Sequence, residues 1–315
     1  MESLLASRLF YFWPMSTQIP PFLSAGDEVI IVAPANKVER KDMYAARDML
    51  ASWGLRVRFG QHLFSDYHRF SGSDEERISD LQAALDDAEA KAILCARGGY
   101  GTSRIVDQLQ WQGFKKNPKW LVGFSDITSL HGMLDKLGYA SLHATMPALM
   151  IRKEEQGSAE SLRRALGGNF NAIEVGHHPH NRFGKAKTEV VGGNLSMLVH
   201  CLGTPSEVDT KGKILFIEDL DEYHYHIDRM MVQLKRAQKL ERLAGLVVGT
   251  FSDLRENTVA FGKEYHEIIR EHVHEYSYPV AFGFPIGHQP PNLALPFGMP
   301  FELAVTDSGA VMRLA

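Results

Sequence analysis

The sequence places a serine where an apolar run ends and a helix-like run begins. Trp120 to Phe124 form the apolar run, and Ser125 and Asp126 follow it directly. A sharp strand-to-helix turn lifts a serine hydroxyl to the rim of a sheet, and the amide of the next residue then points at a developing oxyanion. The usual G-x-S-x-G pattern is half met, because Gly123 is present but position 127 is isoleucine. The serine could instead cap the following helix, so both interpretations stay open.

A serine nucleophile needs a base, and the base needs an orienting carboxylate. The first half of the chain offers His68, His131 and His143. His131 falls on a different face of the helix that follows the serine, which makes it a poor base, whereas His143 ends a strand and stays a candidate. The second half offers His288 in "GFPIGHQPPNL", where glycine and proline on both sides restrict the backbone. A loop histidine is usually only solvated, but this restriction favours His288.

The candidate carboxylates follow the apolar run "KILFIE". Glu218 ends the predicted strand, and a carboxylate buried there is costly unless it is paired. Asp219, Asp221 and Glu222 lie in the loop that follows. The alternative is an acidic, solvated loop that caps the next helix, and Glu218 fits that alternative least.

A glycine-rich loop, "ARGGYGTSR" at 96–104, follows another apolar run. Its backbone amides could cradle a phosphate or stabilise an oxyanion. The loop lacks the P-loop lysine and the G-x-G-x-x-G spacing, so the oxyanion role fits better. A tight turn that requires positive φ is the alternative.

The elements that must position these residues alternate between strands and helices. The first half predicts strands at 28–36, 55–60, 91–96 and 119–124 and helices at 41–53 and 126–137. It also predicts a capping box at Ser73 and Glu76 that opens a helix to about residue 90. This alternation predicts a parallel sheet covered on both faces, with ligands bound at the carboxyl ends of the strands. The glycine-rich loop and Ser125 then share one rim.

The second half repeats the alternation after a polar stretch. It predicts strands at 213–218 and 245–250, helices at 226–239 and about 256–276, and two short strands around 306–309. The predicted organisation is an N-terminal extension at 1–24, a first domain at 25–155, a linker at 156–187 and a second domain at 188–315.

Composition limits the class of protein. The chain has 315 residues, 44% of them apolar, and a formal net charge of −4, which gives no general attraction to nucleic acid. No apolar run reaches the roughly 20 residues of a membrane span, and a signal peptide is not expected at the N-terminus. The two cysteines, Cys95 and Cys201, are expected in the core. The histidine clusters at 177–180 and 224–226 lack known zinc spacings, so we expect no metal. A serine nucleophile with a base and a carboxylate needs no organic cofactor, and we expect none.

Five segments together resemble the LD-carboxypeptidases (muramoyltetrapeptide carboxypeptidases), a family of serine peptidases. They are "RGGYGTSR", "VGFSDIT", "VGGNLSMLVHCLGTP", "LFIEDLDEYHYHIDRMMVQL" and "GFPIGHQPPNLALPFG". They occur in the order found in that family and span nearly the whole chain from about residue 25.

The resemblance implies a triad in chain order of Ser125, Glu218 and His288. It also implies an oxyanion hole formed by the backbone amides of Gly99 and Asp126. The implied fold is α/β, with a flavodoxin-like parallel-sheet N-terminal domain and a smaller swivelling-type C-terminal domain. The site is expected between the two domains, in a homodimer.

The function implied is release of terminal D-alanine from cytoplasmic murein tetrapeptides during peptidoglycan recycling, without nucleic acid or membrane as partner. Two departures leave substrate detail open, because "DEYHYH" follows the L-E-D strand end where the family has G-E-x-P-Y-R, and "HATMPAL" replaces H-G-P-M. One alternative is a microcin-immunity-type hydrolase of aminoacyl-nucleotide amides, with Tyr223 and Tyr225 as an aromatic platform. The other is a non-catalytic protein that binds a small ligand. Arg97 and Arg104 are possible partners of the substrate carboxylate.

Overall fold

The computed structural model describes residues 17–315, which form two lobes. The helices and strands of the first lobe that come from the first half of the chain are β1 (Glu28–Val32), α1 (Arg40–Ser52), β2 (Arg56–Phe59), α2 (Asp74–Asp86), β3 (Ala90–Cys95), α3 (Gln112–Lys116), β4 (Trp120–Gly123), α4 (Thr128–Leu137), β5 (Ser141–His143), α5 (Pro147–Met150) and α6 (Gln156–Leu166).

The remaining elements follow in chain order. They are β6 (Ile173–Gly176), β7 (Gly184–Asn194), α7 (Leu195–His200), β8 (Ile214–Leu220), α8 (His224–Arg236), β9 (Gly245–Ser252), α9 (Tyr265–His272), β10 (Val280–Ala281), β11 (Leu295–Phe297), β12 (Pro300–Thr306) and β13 (Gly309–Leu314). Helix α9 is shorter than the helix predicted over about 256–276.

The first sheet has the strand order β11-β5-β4-β3-β1-β2. Strands β1 to β5 are parallel in the order 2-1-3-4-5, which is the flavodoxin-like order with its ligand crevice between the ends of β1 and β3. This part of the predicted fold is confirmed. The sixth strand, β11, runs antiparallel to β5, with Leu295 opposite His143. It comes from the far end of the chain, and a pairing over that sequence separation leaves no local signal.

The second sheet has the order β10-β9-β8-β7-β12-β13-β6. Its first four strands are parallel, and β12, β13 and β6 join β7 through antiparallel pairs. The predicted second α/β domain is therefore present, and β8 is a central strand of its sheet. The carboxyl end of β8 carries the candidate residue Glu218.

Local signals account for two helix ends. Ser73 accepts a hydrogen bond from the amide of Glu76, and the Glu76 carboxylate accepts one from Ser73, so the predicted capping box is confirmed at the start of α2. Gly138 ends α4 in the left-handed conformation, as its position after the apolar run predicts.

The segments outside the two predicted domains also carry structure. The polar stretch at 156–187 contains α6 and β6. Gln18 forms a β-bridge with Tyr139, and the ring of Phe22 stacks on Trp120 with 5.5 Å between centroids. The end of the predicted extension thus packs against the first lobe, while its residues 1–16 lie outside the described part.

In the described part of the chain, apolar side chains form three buried clusters, and the largest spans both lobes. It joins Val122 and Leu142 of the first sheet to Phe216 of the second and to Phe297 of β11. Since burial of a large apolar side chain contributes about 1.5–3 kcal/mol, this shared core fixes the two lobes against each other. Within residues 17–315, no helix has the length and apolar character that crossing a bilayer requires.

Candidate active site

Ser125 begins a strained turn directly after β4. Its φ is 63°, in the left-handed region that a non-glycine residue rarely adopts, and residues 125–127 form one 3₁₀ turn before α4. The N-cap of the 3₁₀ turn is Phe124 and that of α4 is Ile127, so Ser125 caps neither element. The N-cap interpretation of Ser125 is therefore wrong. The turn matches the strand-to-helix geometry that exposes a nucleophile.

The half-met glycine pattern has a packing explanation. A Cβ at Gly123 would lie 2.8 Å from Cγ1 of Ile127, so the isoleucine side chain occupies the space that the glycine leaves. One glycine therefore permits the tight turn and also permits a large residue at 127.

The glycine-rich loop lies against this turn, as shared placement on one rim predicts. A Cβ at Gly98 would lie 3.3 Å from Ser125 Oγ, and Gly99 has φ 109°. Asp126 Oδ2 accepts a hydrogen bond of 2.8 Å from the amide of Thr102. That carboxylate ties the turn, which carries Asp126, to the loop, which carries Gly99.

Two side chains form hydrogen bonds with the backbone of this loop. Asn36 Oδ1 accepts from the amide of Tyr100 at 3.3 Å. Arg77 is fully buried and donates to the carbonyl of Gly101 at 2.9 Å, while it pairs with Asp74. The loop is thus fixed by a buried cation, which would be costly without these acceptors.

The second lobe supplies a hydrogen-bonded carboxylate and imidazole. His288 Nδ1 lies 2.7 Å from Oε2 of Glu218, whose side chain is fully buried. Gly287 has φ 134°, and a Cβ there would lie 2.9 Å from the same oxygen. With Nδ1–H donating to the carboxylate, the remaining ring nitrogen, Nε2, is the one left to act as a base.

The pKa of His288 is raised above its ordinary value of 6.5. Burial alone would lower this pKa, but the negative charge and the hydrogen bond of Glu218 outweigh burial, and Asp219 and Asp253 add to the rise. Glu218 therefore stabilises the imidazolium that forms when His288 takes up a proton.

The two lobes bring these groups to a common boundary. The His288 ring lies 4.7 Å, centroid to centroid, from the ring of Phe124, the residue before Ser125. Both Ser125 and His288 are described, and the side chain of His288 bonds to Glu218 and not to Ser125. Catalytic hydrogen bonds often tighten only when substrate is bound. Ser125 and His288 both remain partly exposed, as a reactive pair requires.

The other candidate histidines are not placed to act as the base, although His143 also lies at this boundary, with its ring 5.7 Å from that of Phe124 and 5.1 Å from that of Phe216. His131 is buried, contacts Ser141 Oγ and the carbonyl of Gly123, and burial lowers its pKa to about 4. His143 is fully buried, and burial holds its pKa well below the usual range. Neither ring can reach a substrate, and His68 is exposed in a turn beyond β2.

The acidic residues after Glu218 differ from the solvated loop considered above: β8 extends to Leu220, so the prediction that Asp219 lies in the loop is wrong. Asp219 is 1% exposed and accepts hydrogen bonds from the side chain of Asn194 and the amide of Ser196. Burial, with a further contribution from the Glu218 charge, raises its pKa to about 7. Asp221 instead pairs with Arg255, and Glu222 pairs with His226; both pairs are partly exposed to solvent.

The two arginines considered for the substrate carboxylate have different surroundings. Arg104 is committed to Asp74 through three hydrogen bonds, whereas Arg97 is exposed and forms no ion pair with a described residue. Among residues 17–315, no group of three or more His, Cys, Asp or Glu side chains is arranged to hold a metal ion.

Sequence reasoning missed several residues that support the site. Thr128, Asn194 and Asp219 form a hydrogen-bonded junction between the lobes, and Asn36 and Arg77 support the glycine-rich loop. The double glycine before Asn194 was the available signal for a close approach of two segments. No local signal points to Arg77, because its acceptors lie in loops distant in sequence.

In a comparison with known proteins, both lobes match domains of one family, the family that the sequence motifs resemble. Residues 29–144 match the LD-carboxypeptidase N-terminal domain, and residues 187–303 match the LD-carboxypeptidase C-terminal domain. The probable murein peptide carboxypeptidase of Bacillus subtilis (strain 168) is 35% identical over 304 residues, which cover 93% of this chain and 94% of that protein.

Solved structures share the arrangement of both lobes. The muramoyltetrapeptide carboxypeptidase from Oxalobacter formigenes has a TM-score of 0.83 and 28% identity, and the match covers 90% of this chain and 97% of that one. The microcin C7 self immunity protein MccF has a TM-score of 0.82 and covers 96% and 99%, and at 18% identity it shows the fold alone. The chain belongs to the LD-carboxypeptidase family and is a hydrolase of the serine carboxypeptidase type.

Proposed function

We propose that this protein is a serine LD-carboxypeptidase that releases the terminal D-alanine of murein tetrapeptides, with Ser125, His288 and Glu218 as its triad. The observation that carries the proposal is the buried Glu218 carboxylate 2.7 Å from His288, whose ring contacts the residue next to a serine in a strained turn. A carboxylate, an imidazole and a hydroxyl in this order are the parts that acyl transfer through serine requires.

The first step forms an ester and breaks an amide. Ser125 Oγ attacks the carbonyl carbon at the L-centre of the third peptide residue, and His288 Nε2 takes the hydroxyl proton. His288 then gives this proton to the nitrogen of the departing D-alanine. Glu218 fixes the ring tautomer and stabilises the imidazolium, a role that the raised pKa of His288 supports.

The tetrahedral intermediate carries a negative oxygen that needs donors. We assign this role to the amides of Gly99 and Asp126, which the Asp126–Thr102 hydrogen bond keeps in one unit. Loss of one such donor typically costs about 100- to 1,000-fold in rate. Water, activated by His288, then frees the acyl group and restores Ser125.

The substrate class rests on the relatives. The Bacillus and Oxalobacter proteins are named for murein peptides and muramoyltetrapeptides, and both cover most of this chain at 28–35% identity. Arg97, which is exposed and has no ion-pair partner among the described residues, is available for the D-alanine carboxylate.

A second candidate function is hydrolysis of an aminoacyl-nucleotide amide. Tyr223 and Tyr225 lie with 5.7 Å between ring centroids in the loop and first turn after β8, and Tyr225 is 38% exposed. Two tyrosines so placed could stack on a nucleobase. The same triad would perform the cleavage, so only the leaving group and its binding differ.

One assay separates the two candidates. Purified enzyme would be incubated with murein tetrapeptide and, separately, with an aminoacyl-sulfamoyl adenosine, beside a Ser125→Ala variant. We expect D-alanine release by the wild type only, reduced on the order of 10⁵- to 10⁶-fold in the variant. Cleavage of the nucleotide substrate alone would reject the first candidate in favour of the second, and D-alanine release that survives Ser125→Ala would reject the proposed nucleophile.

We also propose a cytoplasmic role in peptidoglycan recycling and a homodimeric state. Both cysteines are free and buried, which suits a reducing compartment. Cell fractionation with an antibody tests the location, and light scattering of the purified chain tests the assembly. Recovery in the periplasmic or secreted fraction, or a monomer at assay concentration, would contradict these two proposals.

A further inference from the structure

The Ser125 turn is joined to the second lobe by one buried hydrogen bond. Thr128 begins α4, three residues after Ser125. Its Oγ1 accepts a hydrogen bond of 3.1 Å from the amide of Asn194, at the end of β7. Asn194 is the register partner of Glu218 between β7 and β8. This contact therefore joins the start of α4 to the strand that pairs with β8 at Glu218.

The chain is shaped to let the two segments approach. Gly193 has φ 138°, and a Cβ at this position would lie 2.5 Å from Thr128 Oγ1. Any other residue would push α4 away from β7. The contact with Thr128 thus explains why the second position of the "GG" pair in "VGGN" is a glycine.

A buried carboxylate fixes the far side of the contact. Asp219 Oδ1 accepts from the Asn194 side chain at 2.8 Å and from the amide of Leu220 at 2.9 Å, and Oδ2 accepts from the amide of Ser196 at 2.9 Å. The Asn194 side chain in turn caps α7. The Asn194 side chain is therefore held at both ends, by the Asp219 carboxylate at its nitrogen and by the Met197 amide at its oxygen.

We propose that Thr128, Asn194 and Asp219 form an interlobe bracket that sets the distance between Ser125 and the Glu218–His288 pair. All three are positioning residues. The proposal rests on the catalytic roles assigned above. It follows because the three side chains of the triad come from two lobes, and a displacement of about 1 Å between reacting groups can cost about 100-fold in rate.

A matched pair of variants at Thr128 tests the bracket. Thr128→Val keeps the shape of the side chain and removes the acceptor, whereas Thr128→Ser keeps the acceptor. We expect kcat for D-alanine release to fall about 10- to 100-fold in Thr128→Val with KM changed less than threefold, and to stay within about threefold of wild type in Thr128→Ser. Thermal melting confirms that both variants are folded.

A second measurement does not depend on the substrate. The rate at which a fluorophosphonate probe labels Ser125, followed by mass spectrometry, reports the alignment of Ser125 with His288. We expect this rate to fall in Thr128→Val in parallel with kcat. Slow labelling of Thr128→Val together with no D-alanine release by the wild type would reject the proposed substrate and support the bracket.

Asp219→Asn tests the other end if Thr128→Val does not fold. Its amide nitrogen cannot accept, so at least one of the three hydrogen bonds is lost, and we expect the same fall in kcat and labelling rate. Wild-type kcat and labelling rate in folded Thr128→Val, or in Asp219→Asn, would overturn the bracket and leave the proposed function standing.

Discussion

Glu218 and Asp219 are neighbours in the sequence with different surroundings. Successive residues of a strand point to opposite sides, so the Glu218 carboxylate faces His288 while the Asp219 carboxylate faces the start of α7. One carboxylate is paired with an imidazole, and the other with N–H donors alone. Their separation lets two adjacent buried acids serve two purposes, which a reading of the sequence as an acidic loop does not anticipate.

The pH dependence of catalysis should follow His288. The imidazole must be neutral to accept the Ser125 proton, and Glu218, Asp219 and Asp253 raise its pKa above 6.5 despite its burial. We therefore expect kcat/KM to rise with pH through a pKa above 6.5 and then reach a plateau. Glu218→Gln should move this rise to lower pH, since the largest raising charge is gone, and lower the plateau on the order of 10⁴-fold.

Glu222→Gln is the control for that profile. Glu222 lies in the same stretch of chain but pairs with His226. We expect its profile to match wild type. An unshifted rise in Glu218→Gln, or an equal shift in Glu222→Gln, would contradict the assignment of Glu218 to His288.

At the scale of elements, the site depends on loops that approach one another too closely for a side chain. Gly287 lies against Glu218 and the hydroxyl of Thr250, at 2.9 Å and 2.3 Å from a hypothetical Cβ. In the first lobe, Gly98 lies against Ser125 less closely, with a hypothetical Cβ 3.1 Å from Ser125 Cβ. Backbone conformation and close packing thus act together at Gly287, whereas packing alone acts at Gly98.

A glycine pair in one loop separates these two effects. Gly287→Ala meets both a φ of 134° and the contact with Glu218, while Gly283→Ala meets only a φ of 82°, with no atom within 4 Å of the new Cβ. We expect Gly283→Ala to lower the free energy of unfolding by about 1–2 kcal/mol with kcat unchanged. Gly287→Ala should destabilise more and lower kcat at least tenfold, because it displaces Glu218. Denaturant titration and D-alanine release measure both, and equal kcat values in the two variants would contradict this account.

The sequence predicts those elements that local signals specify. The β4–Ser125 turn, the capping box at Ser73 and the stop at Gly138 each depend on residues within a few positions. The hydrophobic pattern predicts the parallel sheet, and the resemblance to a family implies its flavodoxin-like type. The interlobe hydrogen bond of Thr128 and the buried state of Asp219 depend on pairings of strands distant in the chain. The sequence motifs pointed to His288 and Glu218, but their 2.7 Å contact required the coordinates.

At the scale of the whole molecule, the two lobes share structure as well as a boundary. Strand β11 comes from the second half of the chain and completes the first sheet beside β5. The largest apolar cluster contains Val122 from the first sheet and Phe216 from the second. We therefore expect the two lobes to fold as one unit, which suits a triad divided between them.

Calorimetry tests this unity. Since β11 and the shared cluster cannot form in one lobe alone, we expect residues 17–315 to unfold in a single transition, with a calorimetric enthalpy equal to the van't Hoff enthalpy. Two resolved transitions would contradict the shared core. The same scan on Ser125→Ala serves as a control, because a change at the partly exposed serine should leave the cooperativity unaltered.

The central claim is that a hydroxyl from one lobe and an imidazole from the other act as one catalytic unit. The most direct measurement is kcat for D-alanine release by Ser125→Ala, His288→Ala and the double variant. Residues that act as a unit are grossly non-additive, so we predict that the double variant is no slower than the slower single variant, within about threefold. Losses that multiply in the double variant would show that Ser125 and His288 act independently, and would contradict the triad.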